Sequence, residues 1–392
     1  MKSKYDLIIV GGGPAGSICA KTSAEQGLDV LMIEKRQEIG VPVRCAEGVG
    51  KKSLENFIKP DKKWICAEAK GANIYSPDGT CVVMSEEMAG GEVGYVLERK
   101  IFDRVLAHRA AKAGAEVMVK TSATGLLRSD GFIKGATIRH MGKKQDIRSD
   151  IVIGADGVES KVGRWAGIDT SLKLADIETC VQFLMTNIDL DQEYNEFYLG
   201  NEIAPGGYAW LFPKGDDRAN VGLGIAGDRS GKTRVYDYLR QFIKRYPKAQ
   251  ILEMVFGGVP VCAPMEKTVE NGLILIGDAA RYSDPITGGG IANAMKSGKH
   301  AGDVSVKAIS NGDVSVEGFK EYERLCWEDI GKTNMAMYRV KEIIMKFSDE
   351  ELNSLAHSLK DIKIEELSAT GLLMKLVENN PKLLEALQEF FK

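Results

Sequence analysis

The stretch Tyr5–Ser17, YDLIIVGGGPAGS, decides the fold. An apolar, β-rich run ends abruptly in three glycines, which is how a buried parallel strand reads. A helix is predicted from Pro14 to Glu25, with Pro14 in its first turn and Gly27 as its stop. DVLMIEK then forms a second strand ending at Glu34, and the whole is a βαβ unit. In that setting Gly11-Gly12-Gly13-Pro14-Ala15-Gly16 matches G-x-G-x-x-G. Gly11 permits the tight turn, Gly13 lets backbone approach a pyrophosphate, and Gly16 lets helix and strand pack closely. The pyrophosphate rests on the helix N-terminus, where free N–H groups and the dipole favour negative charge. Glu34, about 20 residues on, is placed to accept from a ribose hydroxyl. This motif suits FAD and NAD alike.

A second glycine motif selects the flavin. Gly272–Gly298 reads GLILIGDAARYSDPITGGGIANAMKSG. Its strand delivers Gly277 and Asp278, whose carboxylate would accept from a ribityl hydroxyl. Pro285 shapes a turn, and Gly288, Gly289 and Gly290 open a helix at Ile291. Its N–H groups would point at the pyrimidine edge of a flavin, and its partial positive charge would favour the anionic reduced form.

Further out, the pattern changes. Gly71–Ser85 reads as a hairpin about a Pro-Asp-Gly turn. Arg99–Gly114 is helical, AEVMVK returns to strand, and Asp150–Ala155 is another buried strand. Cys180–Gly227 is extended, antiparallel in style and rich in aromatics, and GKTRVYDYLRQFIKRYP is an amphipathic helix. Leu273–Ile276 is strand, and the chain beyond about Gly288 is helical. The expected fold is α/β: a Rossmann-type FAD-binding domain with an inserted antiparallel-sheet substrate domain and a helical C-terminal region. The expected boundaries are 1–69, 94–175 and 263–300 for the flavin domain, 70–93 and 176–262 for the substrate domain, and 301–392 for the helical region.

A chain of 392 residues exceeds one simple core, so several domains are expected. A net charge of −3 gives no reason to expect nucleic acid. Seven scattered cysteines and four histidines suggest neither a disulfide framework nor a metal site. MKSKYDLIIVGGG has no signal-peptide layout, and no run of about 18 apolar residues exists to span a bilayer. A cytoplasmic, non-secreted protein is expected.

With both glycine motifs in place, the chain resembles the p-hydroxybenzoate hydroxylase-like flavoprotein superfamily. Within it the resemblance is to geranylgeranyl reductases, particularly archaeal ones that saturate isoprenoid chains of membrane lipids. It covers roughly residues 1–330 and is sharpest at Tyr208-Ala-Trp210-Leu-Phe212-Pro213, followed by Val221-Gly222. The loop Arg44-Cys45-Ala46-Glu47-Gly48 is similar to the family's cysteine-containing loop. The resemblance implies FAD. It assigns Ala15 and Glu34 to the pyrophosphate and adenosine ribose, and the backbone of Cys45, Ala46 and Gly48 to the flavin ring, with Arg44 among the cofactor-binding residues. Arg99 would approach the dinucleotide, Ala123 would meet the adenine, and Asp278, Gly290 and Ile291 would complete the flavin end. Asp156-Gly157 resembles the Asp-Gly motif of aromatic hydroxylases, but its arginine stands one place late, at Arg164, with Gly163 where it is expected. That departure weighs against direct reduction by NADPH.

The implied activity is saturation of isoprenoid C=C bonds by hydride from reduced flavin. A proton must then reach the neighbouring carbon, and the Cys45 thiol would donate it, shape the pocket, or simply pack. Glu47 reads as a solvated loop acid. Tyr208, Trp210 and Phe212 alternate along one strand face, as pocket wall or as core. YERLCWEDIGKTNMAMYRVKEIIMKF and LLMKLVENNPKLLEALQEFF carry apolar stripes that suit core packing, a lipid tunnel or a membrane surface. Burial of a long chain gains about 0.8 kcal/mol per methylene from water, but little from a bilayer. An isoprenoid lipid substrate therefore predicts transient peripheral contact at the inner face of the membrane. A ferredoxin or a nicotinamide cofactor would supply electrons. The alternatives are an NADPH- and oxygen-dependent aromatic hydroxylase and a non-catalytic flavin-containing lipid carrier; a halogenase lacks an assignable lysine.

Overall fold

The computed structural model describes residues 2–85, 93–231 and 233–360. The segment LLMKLVENNPKLLEALQEFF lies outside them.

The chain begins with β1 (Lys4–Val10), α1 (Pro14–Glu25) and β2 (Val30–Ile33), so the predicted helix has the bounds its proline and glycine signals gave. Next come β3 (Gly48–Val49), α2 (Lys51–Glu55), β4 (Ile65–Glu68), the hairpin β5 (Gly71–Tyr75) and β6 (Cys81–Ser85), β7 (Tyr95–Leu97) and α3 (Arg99–Lys112). β8 (Glu116–Met118), β9 (Thr121–Ser129), β10 (Phe132–His140), β11 (Lys143–Gly154) and α4 (Lys161–Ala166) follow. Then come β12 (Ile177–Thr186), β13 (Tyr194–Tyr198), β14 (Tyr208–Pro213), β15 (Ala219–Ala226), α5 (Val235–Phe242), β16 (Gln250–Pro260), β17 (Val269–Glu270) and β18 (Leu273–Leu275). Four helices close the described chain: α6 (Ile291–Asn311), α7 (Lys320–Cys326), α8 (Lys332–Ile344) and α9 (Asp349–Lys360).

One sheet runs β17-β18-β11-β1-β2-β8, with the antiparallel hairpin β9–β10 attached to β11. β18, β11, β1, β2 and β8 are parallel, and the apolar runs of β18, β1, β2 and the end of β11 are buried on both faces, while β8 is half-buried. β1 lies at the topological switch point, where such sheets bind nucleotides beyond their carboxyl ends. α6 lies against α1 through small residues. A Cβ on Gly298 would fall 2.3 Å from the Ala15 carbonyl oxygen, and one on Gly302 would fall 2.8 Å from Thr22 Cβ.

The second sheet runs β16-β12-β15-β14-β13-β5-β6. It is antiparallel except at β5–β13, where the 71–85 hairpin joins strands more than 100 residues away. Its outer face buries Val181, Phe183, Leu211, Val221 and Leu223 under Val235, Leu239 and Phe242 of α5. A third small sheet, β3-β7-β4, which the sequence pattern did not reveal, packs Val96 against Trp210 and Phe212 of the second sheet, and Tyr95 and Leu97 among Ile18, Ile291 and Met295 of α1 and α6. Two differences from expectation concern α5 and α6. α5 covers only part of the amphipathic run. The expected boundary at 300/301 falls inside α6, whose small-residue seam with α1 continues to Gly302; the helix stops at Gly312, which has a φ of +68°.

Candidate active site

The glycine turn after β1 is sterically dictated. A Cβ on Gly11, whose φ is +119°, would fall 2.2 Å from the Ala155 carbonyl oxygen. One on Gly16 would fall 2.0 Å from the Gly11 carbonyl oxygen. Gly13 has nothing within 4 Å of its Cβ position and borders a cavity of about 290 Å³. Gly13, Pro14 and Ala15 of α1 and Gly288, Gly289, Gly290 and Ile291 of α6 line that cavity, so two helix N-termini converge on it. Between them the Asp278 carboxyl takes no hydrogen bond from the described residues. Burial pushes it up, while Arg99 pulls it down. Asp156 Oδ2 accepts from the Val162 N–H at 3.0 Å, but buried Oδ1 has no partner among the described residues. Open glycine backbone, two helix dipoles and two under-used acids match a dinucleotide rich in phosphate and hydroxyl groups.

The cavity floor is the inner face of the second sheet. Register puts Glu178, Cys180 and Gln182 of β12 on one face with Val255, Gly257 and Val259 of β16, Gly222 and Gly224 of β15, and Tyr208 and Trp210 of β14. The glycines keep this floor flat: a Cβ on Gly222 would fall 2.4 Å from the Trp210 ring. Trp210 Nε1 donates to Gln182 Oε1 at 3.0 Å, and Gln182 Nε2 donates to the Cys45 carbonyl oxygen at 3.0 Å. The Tyr208 hydroxyl donates to the Thr287 carbonyl oxygen, tying floor to flavin loop. The aromatic face is thus cavity wall, packed against Val96 and Phe197.

Glu47 corrects the sequence reading. It is 3% exposed, with a φ of 78°, and it is not solvated. Its carboxylate accepts from Lys214 Nζ at 2.6 Å, Asn220 Nδ2 at 2.6 Å and the Arg99 N–H at 2.8 Å. Burial pushes the carboxyl up against the pull of Lys214, the Arg99 N–H and Asn220. Among the described residues three donors and no acceptor meet it, so the pair is ionic. Lys214 is itself 3% exposed and stands immediately after the Tyr-x-Trp-x-Phe-Pro strand. This clamp fixes the loop that holds Cys45, whose Sγ accepts from the Glu47 N–H at 3.2 Å. Arg99 forks onto Asp103 at 2.7 and 3.1 Å. Burial works against its charge, yet Asp103 and Cys45 hold its pKa above the usual range.

A second cavity of about 100 Å³ adjoins the first, and Glu178 and Tyr208 border both. Ile286 of the loop before α6, with Ile344, Met345, Phe347 and Leu352 from the end of α8 to α9, gives it an apolar wall.

Two family models match the chain: geranylgeranyl reductase catalytic domain over residues 176–259, and FAD binding domain over 4–204. A digeranylgeranylglycerophospholipid reductase of Methanosarcina mazei is 60% identical over 396 aligned positions, covering 100% of this chain and 97% of that one. The chain belongs to the geranylgeranyl reductase family. A second family member, the digeranylgeranylglycerophospholipid reductase 2 of Methanococcoides burtonii, is 59% identical over 100% of this chain and 97% of its own. The solved structure of a geranylgeranyl bacteriochlorophyll reductase-like protein from Thermoplasma acidophilum superposes with a TM-score of 0.93 at 43% identity, covering 99% of each chain. The flavin-dependent brominase Bmp2 shares the fold alone, with a TM-score of 0.72 at 18% identity. FAD is the cofactor of this fold.

Of the residues that the family resemblance and the two glycine motifs single out, Gly13, Pro14, Ala15, Arg44, Cys45, Ala46, Arg99, Tyr208, Trp210, Phe212, Gly277, Asp278, Gly288, Gly289, Gly290 and Ile291 line the main cavity. Gly11 and Gly16 act behind it, through packing. Gly48 lies in β3, Asp156 turns towards the start of α4, and Pro285 borders the second cavity instead. Ala123 sits on β9, away from the cavity wall. The Glu34 carboxylate already accepts from the Gly12 N–H at 3.1 Å and the Arg36 N–H at 2.8 Å, bracing the glycine turn. The displaced arginine has a steric cause. A Cβ at Gly163 would fall 2.5 Å from Thr170 Cγ2 and 3.0 Å from Leu275 Cδ1, so a side chain there requires both neighbours to shift. Glu178, Gln182, Lys214 and Asn220 escaped the sequence reading. The alternation Glu178-x-Cys180-x-Gln182, with apolar Val181 and Phe183 opposite, is the signal that would have found two of them.

Proposed function

We propose that this chain reduces C=C bonds in the geranylgeranyl chains of membrane lipids, as a flavin-dependent oxidoreductase. The carrying observation is one cavity walled on one side by the two helix N-termini and on the other by the flat, aromatic-edged floor of the 176–259 segment. When bound and reduced, FAD supplies hydride at its N5. Ala15, Asp278 and the glycines 288–290 would hold its phosphates, ribityl chain and pyrimidine edge, and Arg44, Cys45 and Ala46 would flank the ring. Trp210 and Phe212 would hold an isoprenoid chain over Gly222 and Gly224 and exclude water from it. Among the described residues, the flavin-holding part falls within segments 1–69, 94–175 and 263 onward into α6, and the substrate-holding part within 70–93 and 176–262.

A ferredoxin or a nicotinamide cofactor would reduce the flavin, and the displaced arginine after Asp156-Gly157 weighs against direct reduction by NADPH. No helix among the described residues is long and apolar enough to cross a membrane. Leu252, Met254 and Phe256, at 56%, 51% and 46% exposure, form an uncovered apolar stripe on the outer face of edge strand β16. That stripe supports transient contact with a lipid surface.

The test is anaerobic. The purified holoprotein is reduced chemically and mixed with a geranylgeranyl lipid, and flavin absorbance and lipid mass are followed together. Reoxidation with H2 added per C=C bond is expected. A flavin that stays reduced beside unchanged lipid overturns the proposal.

A further inference from the structure

Glu178 has no role in the reading so far, and its surroundings are unusual. It is 6% exposed, on the floor of the main cavity, and borders the apolar second cavity as well. Its Oε2 folds over Gly224, 2.6 Å from where a Cβ would stand, so only glycine leaves it this position. The described residues give its carboxyl no hydrogen bond. The groups facing it are Cys180 on β12, Tyr208 on β14, Arg229 after β15 and Lys341 on α8, while β16 contributes uncharged Val259. Lys341 Nζ is spent on the carbonyl oxygens of Val261 at 2.5 Å and Ala175 at 3.3 Å. Arg229 donates to the Met345 carbonyl oxygen, and Tyr208 to that of Thr287. A buried acid without an ion-pair partner, aimed into a cavity, is costly unless it stays neutral.

We propose that Glu178 is the general acid of the reduction. Its carboxyl proton passes to one carbon of the C=C bond as hydride from the reduced flavin reaches the other. One π bond is lost and two C–H bonds form, the flavin is oxidised, and Glu178 is left as carboxylate until water reprotonates it. An isolated isoprenoid double bond is a poor hydride acceptor, so the proton must be at hand when hydride arrives. Burial favours the acid form of this carboxyl, pushing its pKa up to about 7, while Lys341 pulls it down. The neighbouring Cys180 thiol is pushed well above its ordinary value by burial, with Glu178 and Cys45 adding, so it is the poorer donor. A chain threaded from one cavity to the other passes Glu178, which would meet each double bond in turn.

The inference rests on the reductase reading, and the experiment separates the two. Infrared spectra of the full-length protein, with and without FAD, should show a protonated-carboxyl band that titrates near neutrality and is missing from Glu178→Gln. With reduced holoprotein and a geranylgeranyl lipid under anaerobic conditions, Glu178→Gln should slow flavin reoxidation by on the order of 100-fold or more. FAD content and quenching of flavin fluorescence by added lipid should stay as in the parent. Glu178→Asp, which keeps the acid on a shorter stem, should recover part of the rate and the pH inflection. A Glu178→Gln protein that reoxidises at the parental rate, or a band absent from the parent, overturns this assignment while leaving the reductase standing. A parent that never reoxidises on lipid overturns both.

Discussion

Glu47 and Lys214 are the residues on which the site's shape turns, because each is a buried charge that, among the described residues, is satisfied by the other and its few neighbours. Lys214→Met leaves the carboxylate unpaired and should destabilise the protein by about 3–5 kcal/mol. Glu47→Gln combined with Lys214→Met should recover most of that loss, and urea unfolding of the single and double variants measures both. Glu178 works in the opposite sense. Its pKa is raised by folding, so its contribution is fully present below the unfolded carboxylate range and is lost as pH rises through about 7. Glu178→Gln should therefore match the parent in stability near pH 4 and exceed it at pH 8 by on the order of 3 kcal/mol, read from denaturation at the two pH values. Cys45→Ser should keep its flavin and turn over within a few-fold of the parent, since Glu178 supplies the proton. A collapse of single-turnover reoxidation in that variant would return the thiol to the chemistry. Cys45 was legible because a lone thiol among glycines is conspicuous. Glu178 and Lys214 were not, because a carboxylate or an ammonium in a sequence looks the same whether water or a sheet surrounds it.

At the scale of elements, the glycines carry the argument. Gly16→Val would drive side-chain atoms into the Gly11 carbonyl, so the protein should be recovered colourless or not at all, as flavin absorbance per protein will record. Gly222→Val would displace the Trp210 ring and break its bond to Gln182. Lipid binding should weaken while FAD stays bound, and lipid titration of flavin fluorescence separates the two effects. The βαβ start and the hairpin at 71–85 could be read directly, because a buried parallel strand, a proline-led helix and a Pro-Asp-Gly turn each leave a local mark. The β9–β10 hairpin and the three-stranded sheet left none. β9 and β10 mix exposed polar and buried apolar positions through bulged register, and β3 is only two residues long. The full length of α6 was likewise hidden, since its seam with α1 depends on Gly298 and Gly302 meeting another helix rather than on apolar periodicity.

For the whole molecule, the exposed stripe on β16 predicts behaviour at a surface. Mixed with liposomes containing substrate lipid, the holoprotein should float with them. Replacing Leu252, Met254 and Phe256 together by serine should leave it at the bottom of the gradient with its flavin intact; flotation unchanged by those replacements would move the contact elsewhere. The parallel pairing of β5 with β13 has a consequence of another kind. The stretch 176–259 that the family's catalytic model describes is a unit of sequence and not of matter. Lifted out alone, it would leave β13 with a bare edge where residues 71–75 belong, ready to pair with another copy. Anyone who recombines this enzyme with a relative to change its lipid preference must therefore exchange two distant pieces of the gene together, or inherit a protein that clumps.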